Sequence, residues 1–230
     1  MESKSTDSNE YAPIVAVLTG DLVASRKHAD ERVAAVMARI AKTAHQLGTM
    51  TDADSRFTRF RGDGWQVVLG RAGWALRAAL IIIADLKAEG HDIETRISVG
   101  VGPWESLGTD DLSDASGRAF FVSGRNLDEM PKHRRLAIAG GRNAAVHGVA
   151  DRDWQAAIFD MAEWIASRWS QPQAEAMAMA LRDDWKTQDE LAQRLGITRQ
   201  AMHARLTGAG YQAMENAIYA FQKYQWEPVA

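Results

Sequence analysis

Arg56-Phe57-Thr58-Arg59-Phe60-Arg61-Gly62-Asp63-Gly64-Trp65-Gln66-Val67-Val68-Leu69 reads as two strands joined by a tight Asp-Gly turn. Glycine accepts positive φ and aspartate tolerates it, so Asp63-Gly64 marks the bend. Apolar and β-branched residues flank it on both sides, as a hairpin requires. The second arm is apolar enough to lie centrally in a sheet, yet the tip carries Arg59, Arg61 and Asp63. A plain turn needs no such cluster. A site for an anionic ligand held through a metal ion would use it.

Upstream, Pro13-Ile14-Val15-Ala16-Val17-Leu18-Thr19-Gly20-Asp21-Leu22-Val23 is continuously apolar until Thr-Gly-Asp, the pattern of a strand buried on both faces. A carboxylate at the end of such a strand is costly unless it is paired or bound to a metal. Asp21 is thus a metal-ligand candidate, with a helix N-cap or a turn as the plainer alternative. Val33, Val36, Met37, Ile40, Ala44 and Leu47 recur at helical spacing from about residue 29 to 47. Downstream of the hairpin, Trp74, Leu76, Leu80, Ile81, Ile83 and Leu86 mark a second, strongly buried helix closed near Gly90. Ile93 to Val99 alternates as a strand that Gly100-Val101-Gly102-Pro103 should end. An acidic, Gly/Ser-rich loop, a helix over 118–130 and a short strand at Leu136-Ala137-Ile138-Ala139 complete the unit. This alternation predicts a single sheet with helices packed on it.

The chain has 230 residues, net charge -3 and no cysteine. It therefore lacks a global nucleic-acid signature, disulfides, thiolate nucleophiles and Cys-based zinc sites. The six histidines lack zinc-ligand spacing. No secretory signal or membrane-spanning run is visible, which points to the cytoplasm and to no membrane partner. The expected organisation is a polar tail over 1–10, a mixed domain over 11–150, a connecting helix over 151–170, a helical unit over 171–225 and a tail over 226–230. In the connecting helix, Trp154, Phe159, Trp164 and Trp169 read as packing or dimer contacts.

In the last unit, Thr187-Gln188-Asp189-Glu190 is a capping box, and Gly196 and Thr198 mark the turn between two short helices. Ala192, Leu195, Ile197, Met202 and Leu206 can pack the pair as a helix-turn-helix. The second helix and its surroundings offer Arg194, Thr198, Arg199, Gln200, His203 and Arg205, residue types that bond base edges or phosphates, with Lys186 close by in sequence. Double-stranded DNA is the implied partner, although such units also make purely protein contacts.

Gly20-Asp21-Leu22-Val23, Arg61-Gly62-Asp63-Gly64 and Arg96-Ile97-Ser98-Val99-Gly100-Val101-Gly102 together resemble the palm-type catalytic domain of class III nucleotidyl cyclases. The resemblance implies an α+β, ferredoxin-like palm sheet followed by an all-α helix-turn-helix domain. It implies Mg²⁺ or Mn²⁺ on Asp21 and Asp63, consistent with a hard cation that bridges phosphates through one or two carboxylates. It further places base selection at Arg59 and Asp114 and transition-state stabilisation at Arg125. Arg61, beside Asp63, joins the nucleotide-binding set. Phe121 stands where the family has an asparagine, and Lys132, Arg134 and Arg135 are loose substitutes for its triphosphate lysine. Taken whole, the chain resembles the SatD-like bacterial proteins, which join such a domain to a terminal helix-turn-helix. The implied function is a DNA-binding transcriptional regulator that binds a nucleotide through Mg²⁺. The alternatives are an active cyclase or related nucleotidyltransferase, and a scaffold with vestigial acids. Shared cyclase sites and paired DNA half-sites both imply a homodimer.

Overall fold

The computed structural model describes residues 13–60, 62–109, 111–140, 153–182 and 187–226. Arg61, Lys186 and the expected tail over 1–10 lie outside the described residues, as does 227–230 of the expected C-terminal tail. The first half runs β1 (Ile14–Leu22), α1 (Asp30–Thr51), β2 (Ser55–Arg59), β3 (Gly64–Leu69), α2 (Ala75–Ala88), β4 (Thr95–Pro103), α3 (Arg118–Glu129) and β5 (Leu136–Gly140). The sheet order is β2-β3-β1-β4-β5, with β5 parallel to β4 and every other neighbouring pair antiparallel. The first four strands thus have the order of the ferredoxin-like βαββαβ motif, and β5 extends it. As the hairpin's apolar second arm required, β3 is internal.

Alternation along each strand divides the side chains between two unlike faces. Ala16, Leu18, Trp65, Val67, Ile97 and Val99 face α1 and α2 within the main core. Val15, Val17 and Val68 face the other way, under Leu112, Ala119 and Phe120. That second face turns polar along β1. Gln66 donates to Thr19 at 2.8 Å, Thr19 and Ser123 are 2.7 Å apart, and Asn126 donates to Ser98 at 2.9 Å. These bonds satisfy the polar groups under α3.

Two local expectations change. β4 does not end at Gly100 but runs through Gly102 to Pro103. The glycines are there because α3 lies almost on the backbone: a Cβ on Gly100 would stand 2.3 Å from the Ala119 carbonyl oxygen. The hairpin does not turn on Asp63-Gly64 either. Gly64 already belongs to β3, and the positive φ, +84°, falls on Gly62. The Phe60 amide closes the bend by donating to the Gly64 carbonyl at 2.9 Å.

The second half is helical: α4 (Asp153–Ser167), α5 (Gln171–Ala180), α6 (Gln188–Leu195), α7 (Arg199–Gly208) and α8 (Tyr211–Lys223). The Ser170/Gln173 and Thr187/Glu190 capping boxes start α5 and α6. α2 is buried nearly all round, so it needs cover beyond the sheet and finds it in α5. One hydrophobic cluster continues from Ala16 through α2 to Met202 and Phe221. Phe221 stacks in tilted contact with Trp154, Phe159 and Trp226, which makes Trp154 and Phe159 packing residues. Trp164 is 60% exposed, with the Arg168 guanidinium over its ring.

Asp85 of α2 has no exposed side-chain surface. Arg39 Nη2 donates to it at 2.7 Å, Thr43 at 2.5 Å and Arg182 Nη1 at 2.8 Å. Asp85→Ala strips two guanidinium groups of a shared buried partner. It should cost about 3–5 kcal/mol in urea unfolding, against under about 0.5 kcal/mol for the exposed Arg125→Ala.

Candidate functional site

Asp21 comes from the last turn of alternation in β1, on the polar face, directly opposite Gly64 on one side and Arg96 on the other. Asp63 is therefore beside it. The Leu22 amide donates to the Asp63 carbonyl at 3.1 Å, and the Ser25 hydroxyl donates to Asp63 Oδ2 at 2.5 Å. Both the backbone and the carboxylate of Asp63 are thus tied to the exit of β1. On the core face Gly20 makes room for Trp65, since a Cβ there would fall 2.4 Å from its ring. Trp65 Nε1 donates to Thr95 Oγ1 at 3.0 Å, and Thr95 in turn donates to the Asp21 carbonyl at 2.8 Å.

Arg96 is the residue that sequence reasoning passed over. It forks onto Asp21, with Nε on Oδ1 at 2.8 Å and Nη2 on Oδ2. Its Nη1 also reaches the Met130 carbonyl, just past the end of α3, at 3.4 Å. The guanidinium is held above its ordinary pKa, first by the Asp21 hydrogen bond, against desolvation, and then by the charges of Asp21, Asp128 and Asp63. The signal was present in the sequence as a lone arginine on the less buried face of β4. Its partner, however, lies 75 residues away.

Arg96 is thus a fixed cation bonded to Asp21, with the carbonyl just past the end of α3 beside it. Of these groups, Asp21 and Asp63 are the carboxylates that could hold a hard divalent cation. Among the described residues, no group of three or more His, Asp or Glu is arranged to hold a metal ion. Asp21 already gives both its oxygens to Arg96.

The other nucleotide-site candidates lie around this centre or away from it. Arg59 is exposed on edge strand β2 and donates to the Gly62 carbonyl at 3.2 Å. Asp114 sits on the loop before α3, which is pinned over β2 by the Leu112 amide on Thr58 at 2.8 Å. Its carboxylate accepts from the Thr109 amide at 3.1 Å and from the Thr109 hydroxyl at 2.9 Å, and the amide bond first of all depresses its pKa. Phe121 and Arg125 are one helical turn apart on the solvent face of α3, both 65% exposed, and Arg125 pairs with Glu129. Arg134 is committed to Asp160 and Glu163, and Arg135 to Glu94.

At the far end of the chain, α6 and α7 meet through Gly196, at φ +64°, and Thr198, whose hydroxyl accepts from the Ala201 amide at 3.2 Å. Arg194, Arg199, Gln200 and His203 are exposed. His203 is 3.2 Å from Gln188, and Arg199 is 3.8 Å from Asp189. Arg205 turns the other way, to Glu175 at 3.0 Å.

No family model and no curated protein matches the chain. Among solved structures it is similar to the catalytic core of a rhodopsin-guanylyl cyclase of converted specificity in complex with ATPαS (20% identity, TM-score 0.41, 51% of this chain and 72% of that one). It is also similar to a bacterial light-regulated adenylyl cyclase (19% identity, TM-score 0.39, 56% of this chain and 75% of that one). A third is the adenylyl cyclase CyaB from P. aeruginosa (16% identity, TM-score 0.40, 56% of this chain and 77% of that one). Among the described residues no helix is long and apolar enough to cross a membrane.

Asp21→Asn breaks the fork on Arg96 and should cost about 1 kcal/mol, the upper end for a partly exposed pair. Asp63→Asn keeps an acceptor for Ser25 and should cost less. Urea unfolding of both variants checks the order.

Proposed function

We propose that the protein is a DNA-binding regulator of the SatD-like kind, in which residues 11–150 bind a nucleotide through a divalent cation and residues 171–225 bind double-stranded DNA. The observation that carries the first half is that Asp21, at the end of β1, and Asp63, bonded to Leu22 and Ser25 just after it, lie together at one end of the sheet. Asp21 is neutralised by Arg96, and the neighbouring Asp63 carboxylate bonds only the neutral Ser25 hydroxyl among the described residues. A divalent cation would offset the Asp63 charge and a triphosphate would share that cation. Arg59, exposed at the rim, would meet base or phosphate; Arg61 and Asp114 complete the proposed contacts.

The second half rests on the exposed set Arg194, Arg199, Gln200 and His203 beside a capped Thr198. An amide or guanidinium at the start of a helix can reach base edges while its neighbours hold phosphates. Arg205, paired with Glu175, would contribute least. A homodimer follows from the proposal, because Phe121 and Arg125 face outward on α3, where a second copy would cover them.

Turnover to a cyclic nucleotide is the second reading, favoured by the outward Arg125, which a partner's carboxylate pair could use. Phe121, with no amide to offer, weighs against it. Incubation with each NTP and Mn²⁺ decides: pyrophosphate and a cyclic product lost in Asp21→Ala and Asp63→Ala would establish the enzyme.

For the binding reading, calorimetry should show Mn²⁺-dependent nucleotide binding that falls at least about tenfold in Asp63→Asn. Arg96→Gln, which frees Asp21, should strengthen Mn²⁺ binding alone. Metal-independent nucleotide binding, unchanged in both variants, would sink the proposal. In gel shifts on genomic fragments, Arg199→Ala with His203→Ala should weaken binding by about 1–3 kcal/mol, and Arg205→Ala should change it little.

A further inference from the structure

Behind the carboxylate pair, on the α2 side of the sheet, lies a cavity of about 440 Å³. It is walled by α2, by the 90–94 segment leading into β4, and by the end of α4. That volume falls within the roughly 300–1,000 Å³ of small-molecule sites. Ile83, Leu86, Ile93, Ala166 and the Trp169 ring supply an apolar lining. The Trp169 indole N–H is already used on the Ala209 carbonyl at 2.8 Å, so its ring offers hydrocarbon and a π-face.

The charges on the wall are unequal in their commitments. Glu94 takes Arg135 Nε at 2.7 Å. Glu163 takes Arg134 Nε and the Arg135 amide, each at 2.6 Å. Asp92 is exposed at the rim. Lys87 differs from these groups: among the described residues its ammonium donates only to a neutral group, the Ser167 carbonyl at 2.9 Å. It is half-buried, and burial holds its pKa below the usual lysine value, with the charge of Glu94 opposing. An ammonium with spare donors beside an apolar lining is a seat for an anion on a hydrophobic body.

We propose that this cavity binds a small organic carboxylate, its head on Lys87 and its aliphatic or aromatic body against Trp169, Ile83 and Ile93. The site is separate from the proposed nucleotide centre but shares a strand with it. Thr95 lines the cavity and its hydroxyl donates to the Asp21 carbonyl. An occupant therefore touches the segment that fixes Asp21, and the cavity serves as an effector site.

The test uses the full chain without metal or nucleotide, so its outcome is independent of the Asp21–Asp63 reading. Octanoate, phenylbutyrate and indole acetate are titrated against their neutral alcohols, with amide NMR as the readout. At least one acid should bind about tenfold tighter than its alcohol, shifting the amides of Lys87, Thr95 and Asp21. Lys87→Met, which keeps the apolar stem, should bring the acid down to the alcohol's affinity, and Lys87→Arg should retain the preference. Thermal melts establish that both variants are folded. Absence of binding by all three acids, equal binding of acid and alcohol, or a preference that survives Lys87→Met would overturn the proposal.

Discussion

A carboxylate with no exposed side-chain surface, Asp85, fixes how the two halves of the chain meet. Removing a charge from water costs several kcal/mol per ion unless partners surround it. Here the partners come from α1 (Arg39 and Thr43) and from Arg182, just after α5. Asp85 itself is on α2, so three separate helical segments are referred to one point. Arg77, two turns earlier on α2, adds a bond to the Leu181 carbonyl at 2.9 Å. The consequence is mechanical. The helix that backs the sheet is also the helix on which the C-terminal helices rest, and a displacement of α2 reaches β1 on one side and α5 on the other.

The opposite face of the sheet follows a different constraint. Along β1, the residues facing α3 change from Val15 and Val17 to Thr19 and then to Asp21. The first pair is covered by Leu112 and Phe120, and Thr19 is satisfied by Gln66 and Ser123. Only Asp21 passes beyond the cover. A single strand therefore runs from core to site, and α3 provides both limits: its start closes on Gly102, and the carbonyl just past its end points at Arg96. The glycines of β4 are the condition for this, because any side chain at Gly100 would push α3 away and open the polar network.

Much of this was legible in the sequence. Continuous apolar character gave β1, helical spacing gave α1 and α2, and capping chemistry gave the start of α6, since each depends on neighbours close in sequence. The pairing of Asp21 with Asp63 was an implication of the family resemblance and not of any local pattern. What stayed hidden depends on distant partners. Gly100 and Gly102 have the composition of a strand end, and only the approach of α3 shows that they are inside one. The Asp-Gly signal found the hairpin but misplaced its bend, because Gly62 competes with Gly64 for the positive φ. The Arg96–Asp21 fork and the Asp85–Arg182 pair join residues 75 and 97 positions apart, a relation that no local pattern encodes.

Arg96 also bears on what kind of centre this is. Its fork uses both oxygens of Asp21, while Asp63 gives Oδ2 to Ser25 and keeps Oδ1 without a partner among the described residues. Under the proposed function a divalent cation must therefore displace Arg96 from at least one oxygen, and its affinity alone is reduced by that exchange. A phosphate arriving with the cation changes the balance, because the released guanidinium gains an anion of its own. Metal and nucleotide would then bind better together than either does singly, the behaviour of a sensor that responds to the complex and not to free metal. A centre built for rapid turnover gains nothing from an internal cation held on its first carboxylate. Under the proposed function, the fork therefore suits a centre that recognises the metal–nucleotide complex.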